Sequence, residues 1–225
     1  MLTHLACVMD GNRRWAKKQG MLPWFGHKAG IKSVEIAINF CLKHKIKYLS
    51  LYTFSLENFA RPEQEQSFLF NLVLEQAITY IPEFIKHGVR VRFIGDMSKF
   101  SEQIQKVCFD VQEQTSQADI LHLNFLFGYG ARQEIYAAAE QFAQKIKEDK
   151  PATQQLFESC LSTGKIPDPD LIIRTGGVQR LSNFLLYQSA YAEIRFLDTL
   201  WPDLTEVEIF DAVISAVQAQ KNVGK

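Results

Sequence analysis

The sequence carries no excess of charge of either sign: 25 Lys and Arg stand against 25 Asp and Glu over 225 residues. A broad nucleic-acid surface is therefore not expected, and an anionic ligand has to be held by a local cluster rather than by the field of the whole protein. Long hydrophobic runs are absent too. No apolar stretch approaches the ~20 residues that a membrane span needs, and no signal peptide precedes the first strand. A single soluble, cytoplasmic domain over residues 1–225 is the expectation. Cysteine is sparse. Cys7, Cys41, Cys108 and Cys160 lie far apart with no Cys-x-x-Cys, which leaves them as small buried hydrophobes in a reducing compartment. Internal repeats, low-complexity tracts and linkers are missing as well. What is present is apolar material: 47% hydrophobic residues, enough for one well-buried core.

Apolar runs of strand length alternate with longer helical patterns. Strands are expected near 4–9, 47–54, 89–95, 121–127, 170–174 and 193–197. Helices are expected near 12–19, 28–44, 64–86, 100–117, 131–148, 153–162, 182–190 and 205–220. This alternation predicts an α/β domain, with a mainly parallel sheet of about six strands covered by helices on both faces. Residues 149–170, with Pro151, Pro167 and Pro169, read as a surface excursion. The helix at 64–86 is apolar, from Leu69 to Ile85, over about half its circumference, more than the ~100° stripe of a simple surface helix. It is either buried between two neighbours or one wall of a hydrophobic tunnel.

The expected strand ends are polar or Gly-rich: Asp10-Gly11-Asn12, Ser55-Leu56-Glu57-Asn58, Gly95-Asp96, Gly128-Tyr129-Gly130-Ala131-Arg132 and Arg174-Thr175-Gly176-Gly177. In parallel sheets, ligands bind beyond the carboxyl ends of the strands. The first of these ends organises the chain. Leu5-Ala6-Cys7-Val8-Met9 runs into Asp10-Gly11-Asn12-Arg13-Arg14-Trp15, which reads as a buried strand, a tight turn and a helix start. Asp10 or Asn12 can cap the helix, and Gly11 permits a sharp turn or close approach to a ligand. Free N–H groups beside two arginines suit an anion. Asp10 makes sense there if a divalent cation bridges it to phosphates. Arg174, Arg180 and Ser182 suggest a second cradle, since guanidinium groups bind phosphate oxygens bidentately. His27 can add a donor. Asn58 and Arg61 lie in a polar segment broken by Pro62 that reads as a flap over the site. Trp15 and Phe59 are core aromatics or contacts for an apolar ligand. Glu193, on its own, reads as an edge charge or a salt-bridge partner.

These segments, together with Gly26-His27-Lys28-Ala29-Gly30, Ser55-Leu56-Glu57-Asn58-Phe59-Ala60-Arg61-Pro62, Arg180-Leu181-Ser182-Asn183-Phe184 and Tyr191-Ala192-Glu193, resemble the cis-prenyltransferases over nearly the whole chain and in the same order. The resemblance implies a magnesium-dependent transferase with a hydrophobic tunnel. Such an enzyme condenses isopentenyl diphosphate with farnesyl diphosphate repeatedly, in cis, to make a long-chain polyprenyl diphosphate. In bacterial members this is undecaprenyl diphosphate, a lipid carrier precursor for cell-wall synthesis. Catalytic roles are implied for Asp10 and Asn58. Substrate contacts are implied for Gly11, Asn12, Arg13, Arg14, Trp15, His27, Ser55, Leu56, Glu57, Phe59, Arg61, Arg174, Arg180, Leu181 and Ser182. Asp10 and Glu193 would hold magnesium. The family writes the asparagine as proton acceptor; an amide is a poor base, so Asn58 reads here as positioning the substrate or relaying the proton through a bound phosphate. A homodimer through the apolar-rich region 181–200 is implied, as is transient contact with the inner face of a membrane for product release. Three positions depart from the pattern: Arg13, where many bacterial members have glycine; Pro23, where some have a substrate-binding arginine; and Gln179, where histidine is common. A phosphoryl transferase using Asp10 as nucleophile would need a second acid close behind it, where Gly, Asn, Arg and Arg follow. A non-catalytic partner subunit would lack the Asp-Gly-Asn segment. Leu121, where the fourth strand begins, is expected either at the closed end of the tunnel or as an ordinary core leucine.

Overall fold

The computed structural model describes residues 2–148 and 150–219. Its strands are β1 (His4–Val8), β2 (Tyr48–Ser55), β3 (Val89–Ile94), β4 (Leu121–Tyr129), β5 (Leu171–Arg174) and β6 (Glu193–Phe196). They form one parallel sheet in the order β3-β4-β2-β1-β5-β6. Burial follows position. β1 and β5 are buried at every residue, as unbroken apolar runs inside a covered parallel sheet must be, whereas the edge strands β3 and β6 are only partly buried.

The helices are α1 (Asn12–Lys18), α2 (Phe25–Ala29), α3 (Ile31–Lys43), α4 (Glu63–Lys86), α5 (Glu102–Gln114), α6 (Ala131–Lys147), α7 (Gln154–Glu158) and α8 (Glu206–Gln218). On one face of the sheet, Leu5, Cys7, Leu49, Leu51, Leu121 and Leu123 pack with Phe40 of α3, Phe84 of α4, Val111 of α5 and Ile209 of α8. On the other, Ala6, Val8, Leu126 and Ile172 pack with Ala131 of α6 and with Phe184 and Leu185. All four cysteines are buried and free, and burial pushes the Cys7 thiol up to about 12, which keeps it inert.

Several expected boundaries move. The helix expected at 182–190 is a run of turns, because Ser182, Asn183 and Leu185 adopt positive φ values of 52°, 64° and 42°, outside the right-handed helical region. The pattern at 28–44 divides into α2 and α3 at Gly30, and that at 153–162 shrinks to α7. Cys160 and Leu161 pack on Ala138, so the 149–170 excursion is tied down to α6. Asp149 and Gln220, at the ends of two expected segments, lie outside the described residues. By length and composition α4 could cross a bilayer. Phe84 and Leu69 of α4 are packed into the domain, while Ile78 and Ile85 are among its exposed residues.

Candidate active site

The site is built where β1 and β5 end side by side, with Val8 in register with Arg174. Past Val8 the chain bends at Asp10. The Asp10 carbonyl accepts hydrogen bonds from Thr175 Oγ1 at 2.7 Å and Trp201 N at 3.0 Å. Gly11, at φ +111°, turns the chain into α1. The Asp10 carboxylate is gripped from two sides: Arg174 Nη2 lies 2.9 Å from Oδ2 and Arg14 Nη2 lies 3.2 Å from Oδ1. Arg14 also donates to the Gly176 carbonyl at 2.7 Å. Gly176 has φ +87°, and a Cβ there would stand 2.4 Å from Arg14 Nη2, so the glycine is needed both for the turn and for the arginine. Arg174 reaches on to Ser182 Oγ at 2.8 Å, which in turn accepts from Arg180 Nε at 3.2 Å, and Arg174 also donates to the Arg180 carbonyl. Its Nε has no partner, nor does Asn12 Oδ1, although both atoms are buried. One acid is thus surrounded by Arg14, Arg174 and, one residue layer out, Arg180. That surplus of donors suits a polyanion. α1 has only seven residues, so these side chains, more than a helix dipole, carry the anion chemistry.

A second cluster faces the first. After β2, residues Leu56–Ala60 form a short 3-10 turn capped reciprocally by Ser55 and Asn58, whose Oδ1 accepts the Ser55 N–H at 3.1 Å. An N–H must meet an oxygen, so the Asn58 carbonyl is occupied and its amide N–H groups remain to donate. Glu57 accepts from Asn183 Nδ2 at 2.8 Å, tying the turn to the 181–186 segment. Glu65, in the first turn of α4, has a side chain only 2% exposed. Its Oε1 lies 3.2 Å from Arg61 Nη1, 3.7 Å from Arg13 Nε and 3.8 Å from His27 Nε2. His27, with Arg61 and Arg13 behind it, holds the Glu65 carboxyl below the ordinary carboxylate value, while burial pushes His27 down.

Between these clusters opens a cavity of about 1250 Å³. Asp10, Asn12, His27, Ser55, Glu57, Asn58, Arg61, Arg174, Arg180, Leu181 and Ser182 line its mouth. Its walls are Val34 and Ile38 of α3, Leu69, Val73 and Phe84 of α4, Val91 and Phe93 of β3 and Phe125 and Phe127 of β4, down to Val89 and Val111. Arg132 and Gln133, at the start of α6, also reach it. The excess apolar surface of α4 is therefore divided: one part is a cavity wall and another packs into the core.

Some expected residues stand elsewhere. Gly11, Arg13, Arg14 and Leu56 are outside the lining; Arg13 and Arg14 act from behind it through Glu65 and Asp10. Trp15 is turned away, its indole N–H donating to Asp203 Oδ1 at 2.7 Å. Phe59 belongs to an aromatic cluster with Phe54, Phe70 and Phe100 beneath the flap. Leu121 is wholly buried beside Val89, its register partner, and it is Val89 that meets the cavity. Glu193 is not brought to Asp10. It pairs with Leu171 at the amino end of β6, near Arg195 at 3.5 Å, whereas Asp10 follows Val8, level with Arg174 and Phe196 at the carboxyl ends. Parallel register forces this separation within the chain. Among the described residues, no three His, Cys, Asp or Glu side chains converge as a metal cluster. Glu65 and Asn183 are the functional candidates that sequence reading passes over. Glu65 is one of several acids around Pro62, and nothing local marks it as the one that turns inward.

Comparison with known proteins agrees with this geometry. The family model described as "Putative undecaprenyl diphosphate synthase" matches residues 8–224. A (2E,6E)-farnesyl-diphosphate specific ditrans,polycis-undecaprenyl-diphosphate synthase of Photorhabdus laumondii is 44% identical, covering 95% of this chain and 85% of its own. The Haemophilus ducreyi protein of the same name is 40% identical, covering 100% and 94%. Among solved structures, a probable undecaprenyl diphosphate synthase from Campylobacter jejuni superposes with TM-score 0.85 at 35% identity, covering 100% of this chain and 99% of that one. The lavandulyl diphosphate synthase of Lavandula x intermedia, solved with dimethylallyl diphosphate, gives TM-score 0.95 at 30% identity, covering 100% and 98%. A cationic mouth above a deep apolar cavity is what such a transferase requires, and with the family model matched from β1 onward the chain belongs to the cis-prenyltransferases.

Proposed function

We propose that this chain condenses isopentenyl diphosphate with farnesyl diphosphate repeatedly, in cis, to give a long-chain product of the undecaprenyl diphosphate kind. The observation that carries this is the union of a polyanion mouth with an apolar cavity running the length of the sheet to Val89. Arg174, Arg180 and Ser182 take the isopentenyl diphosphate. Asp10, Asn12 and His27, with Arg14 behind Asp10, receive the farnesyl diphosphate, whose tail enters the cavity. Fixed guanidinium groups meet the charge that grows on the departing diphosphate without having to reorganise. Asn58 presents N–H donors and orients the alkene substrate; the proton leaves through a bound phosphate oxygen. Asp10 fits magnesium, as a single carboxylate at a partly open mouth, with water and phosphate oxygens able to complete the shell. Bound there, the ion would neutralise and polarise the diphosphate. The same reading includes a homodimer, for which the free edge β6 with exposed Tyr191 and Phe196 is the surface offered.

Backbone agreement extends to a lavandulyl diphosphate synthase, so the fold alone does not choose the product; the depth of the cavity favours elongation. The test is incubation of the purified protein with radiolabelled isopentenyl diphosphate, farnesyl diphosphate and magnesium. Label should pass into a long-chain lipid fraction, and Asp10→Asn, which keeps an acceptor for the buried Arg174, should abolish this while the chain stays folded. Label that stays water-soluble with the parent protein would reject the reading.

A further inference from the structure

We infer that the stretch from α1 to the start of α3 is a docking surface for an anionic lipid bilayer, placed beside the mouth of the cavity. The chain as a whole is neutral, yet residues 11–34 hold Arg13, Arg14, Lys17, Lys18, Lys28 and Lys32 and not one Asp or Glu. The four lysines are exposed. Among them, Met21 and Leu22 of the link between α1 and α2, and Phe25 at the start of α2, face solvent at 50%, 53% and 42% exposure. The link is braced, not loose: Met21 N donates to the Ala16 carbonyl, and Trp24 and Phe25 rest on Phe68 of α4 with ring centroids 6.5 and 5.8 Å away. Two acids on neighbouring elements are already engaged, Glu65 by Arg13 and Asp203 by Trp15.

Basic residues around exposed apolar ones are the chemistry of an interfacial lipid site: the cations are drawn to an anionic leaflet and the apolar tip enters the headgroup boundary. A soluble anion would account for the lysines but would leave Met21 and Leu22 exposed without purpose. Asn12 and His27 of the same stretch line the mouth, so docking on this face presents the cavity opening to the lipid. The inference rests on the proposed function only in supposing that the product is a lipid.

The experiment is flotation of the full chain with vesicles of phosphatidylglycerol and phosphatidylcholine, and with phosphatidylcholine alone. The parent should float with the anionic vesicles, lose this in high salt, and not float with the neutral ones. Each lysine is expected to contribute about fivefold, so Lys17→Gln/Lys18→Gln/Lys28→Gln/Lys32→Gln should weaken binding at least tenfold. Met21→Ser/Leu22→Ser should also weaken it. Both variants should keep the parent rate of label incorporation in detergent. A parent that does not float with anionic vesicles, as for a patch that serves a protein instead, overturns the inference. So does flotation unchanged in both variants. Incorporation without flotation defeats the docking surface alone; flotation without incorporation defeats the functional reading alone.

Discussion

Arg180 and His4 show how differently two polar side chains can serve the same fold. Arg180 is exposed at the cavity mouth and held only through Ser182 and its own carbonyl. Arg180→Ala should therefore leave stability nearly unchanged but raise the KM for isopentenyl diphosphate. A charged hydrogen bond contributes roughly 1.5–3 kcal/mol, so at least a tenfold rise is expected, with a smaller one for farnesyl diphosphate. A rise confined to farnesyl diphosphate would mean the two cradles are assigned the wrong way round. His4 is the opposite case. It is buried, with Nδ1 2.7 Å from the Pro167 carbonyl and Nε2 2.8 Å from Ser50 Oγ, and burial pushes its pKa down to about 4 from an ordinary 6.5, against the pull of Asp170. Between pH 6.5 and 4 the unfolded chain binds a proton that the folded chain refuses, so stability rises with pH through that window and is fully present above it. The expected loss on going from pH 7 to 4 is on the order of 3 kcal/mol from this residue. His4→Gln should flatten the melting temperature against pH over that range; an unaltered slope would assign the acid sensitivity to other groups. Nothing local in the sequence marks this role, because a histidine opening an apolar run looks the same whether it is buried or frayed.

At the scale of elements, the sheet and its long helices were readable and the segments that complete the site were not. β1 to β6 announce themselves as apolar runs broken by Gly and polar residues, and parallel pairing then obliges Asp10, Asn58, Arg174 and their neighbours to meet on one edge. The turns at 182–190 have a helical pattern of Phe184, Leu185 and Tyr187, but the conformation is decided by tertiary bonds. Asn183 accepts from Ala131 N through its carbonyl and from Arg132 N through its side chain, holding a left-handed backbone that local propensity disfavours. The separation of Glu193 from Asp10 is hidden for a related reason: a motif does not reveal which end of its strand faces the ligand. The flap depends on a similar long-range tie. Glu65 joins Arg61 of the flap to Arg13 of α1 and His27 of α2, so its removal takes a shared partner from two guanidinium groups and a histidine at once. Glu65→Ala should cost about 1–3 kcal/mol, as an unmade buried charged hydrogen bond does, and should lower kcat/KM for farnesyl diphosphate through a misaligned mouth. Glu65→Gln keeps one acceptor for Arg61 and should fall between. If Glu65→Ala melts and turns over like the parent, the three contacts have no role in aligning the flap.

For the molecule as a whole, product length should follow from the distance between the polar edge of the sheet and the point where the core closes. Diphosphates held at Asp10 and Arg174 sit beyond the carboxyl ends of the strands, so a growing tail can only advance toward the amino ends, between the sheet and α4. Val73 of α4 meets the cavity part-way along this course, and Val89 meets it at the start of β3. Leu121 lies in register with Val89, on the same buried face but behind the lining. Val73→Phe should therefore obstruct the tail and shorten the products while sparing the first condensation, because the mouth is untouched. Leu121→Ala should do the reverse. Truncation leaves a void costing ~2–5 kcal/mol, and since Leu121 lies beside the lining residue Val89, the void and the cavity should merge and the product ladder should extend. A melting curve beside a chain-length analysis distinguishes the cases. A Leu121→Ala protein that is destabilised but yields the parent ladder would make Leu121 a core residue and nothing more, and would leave Val89 as the true floor.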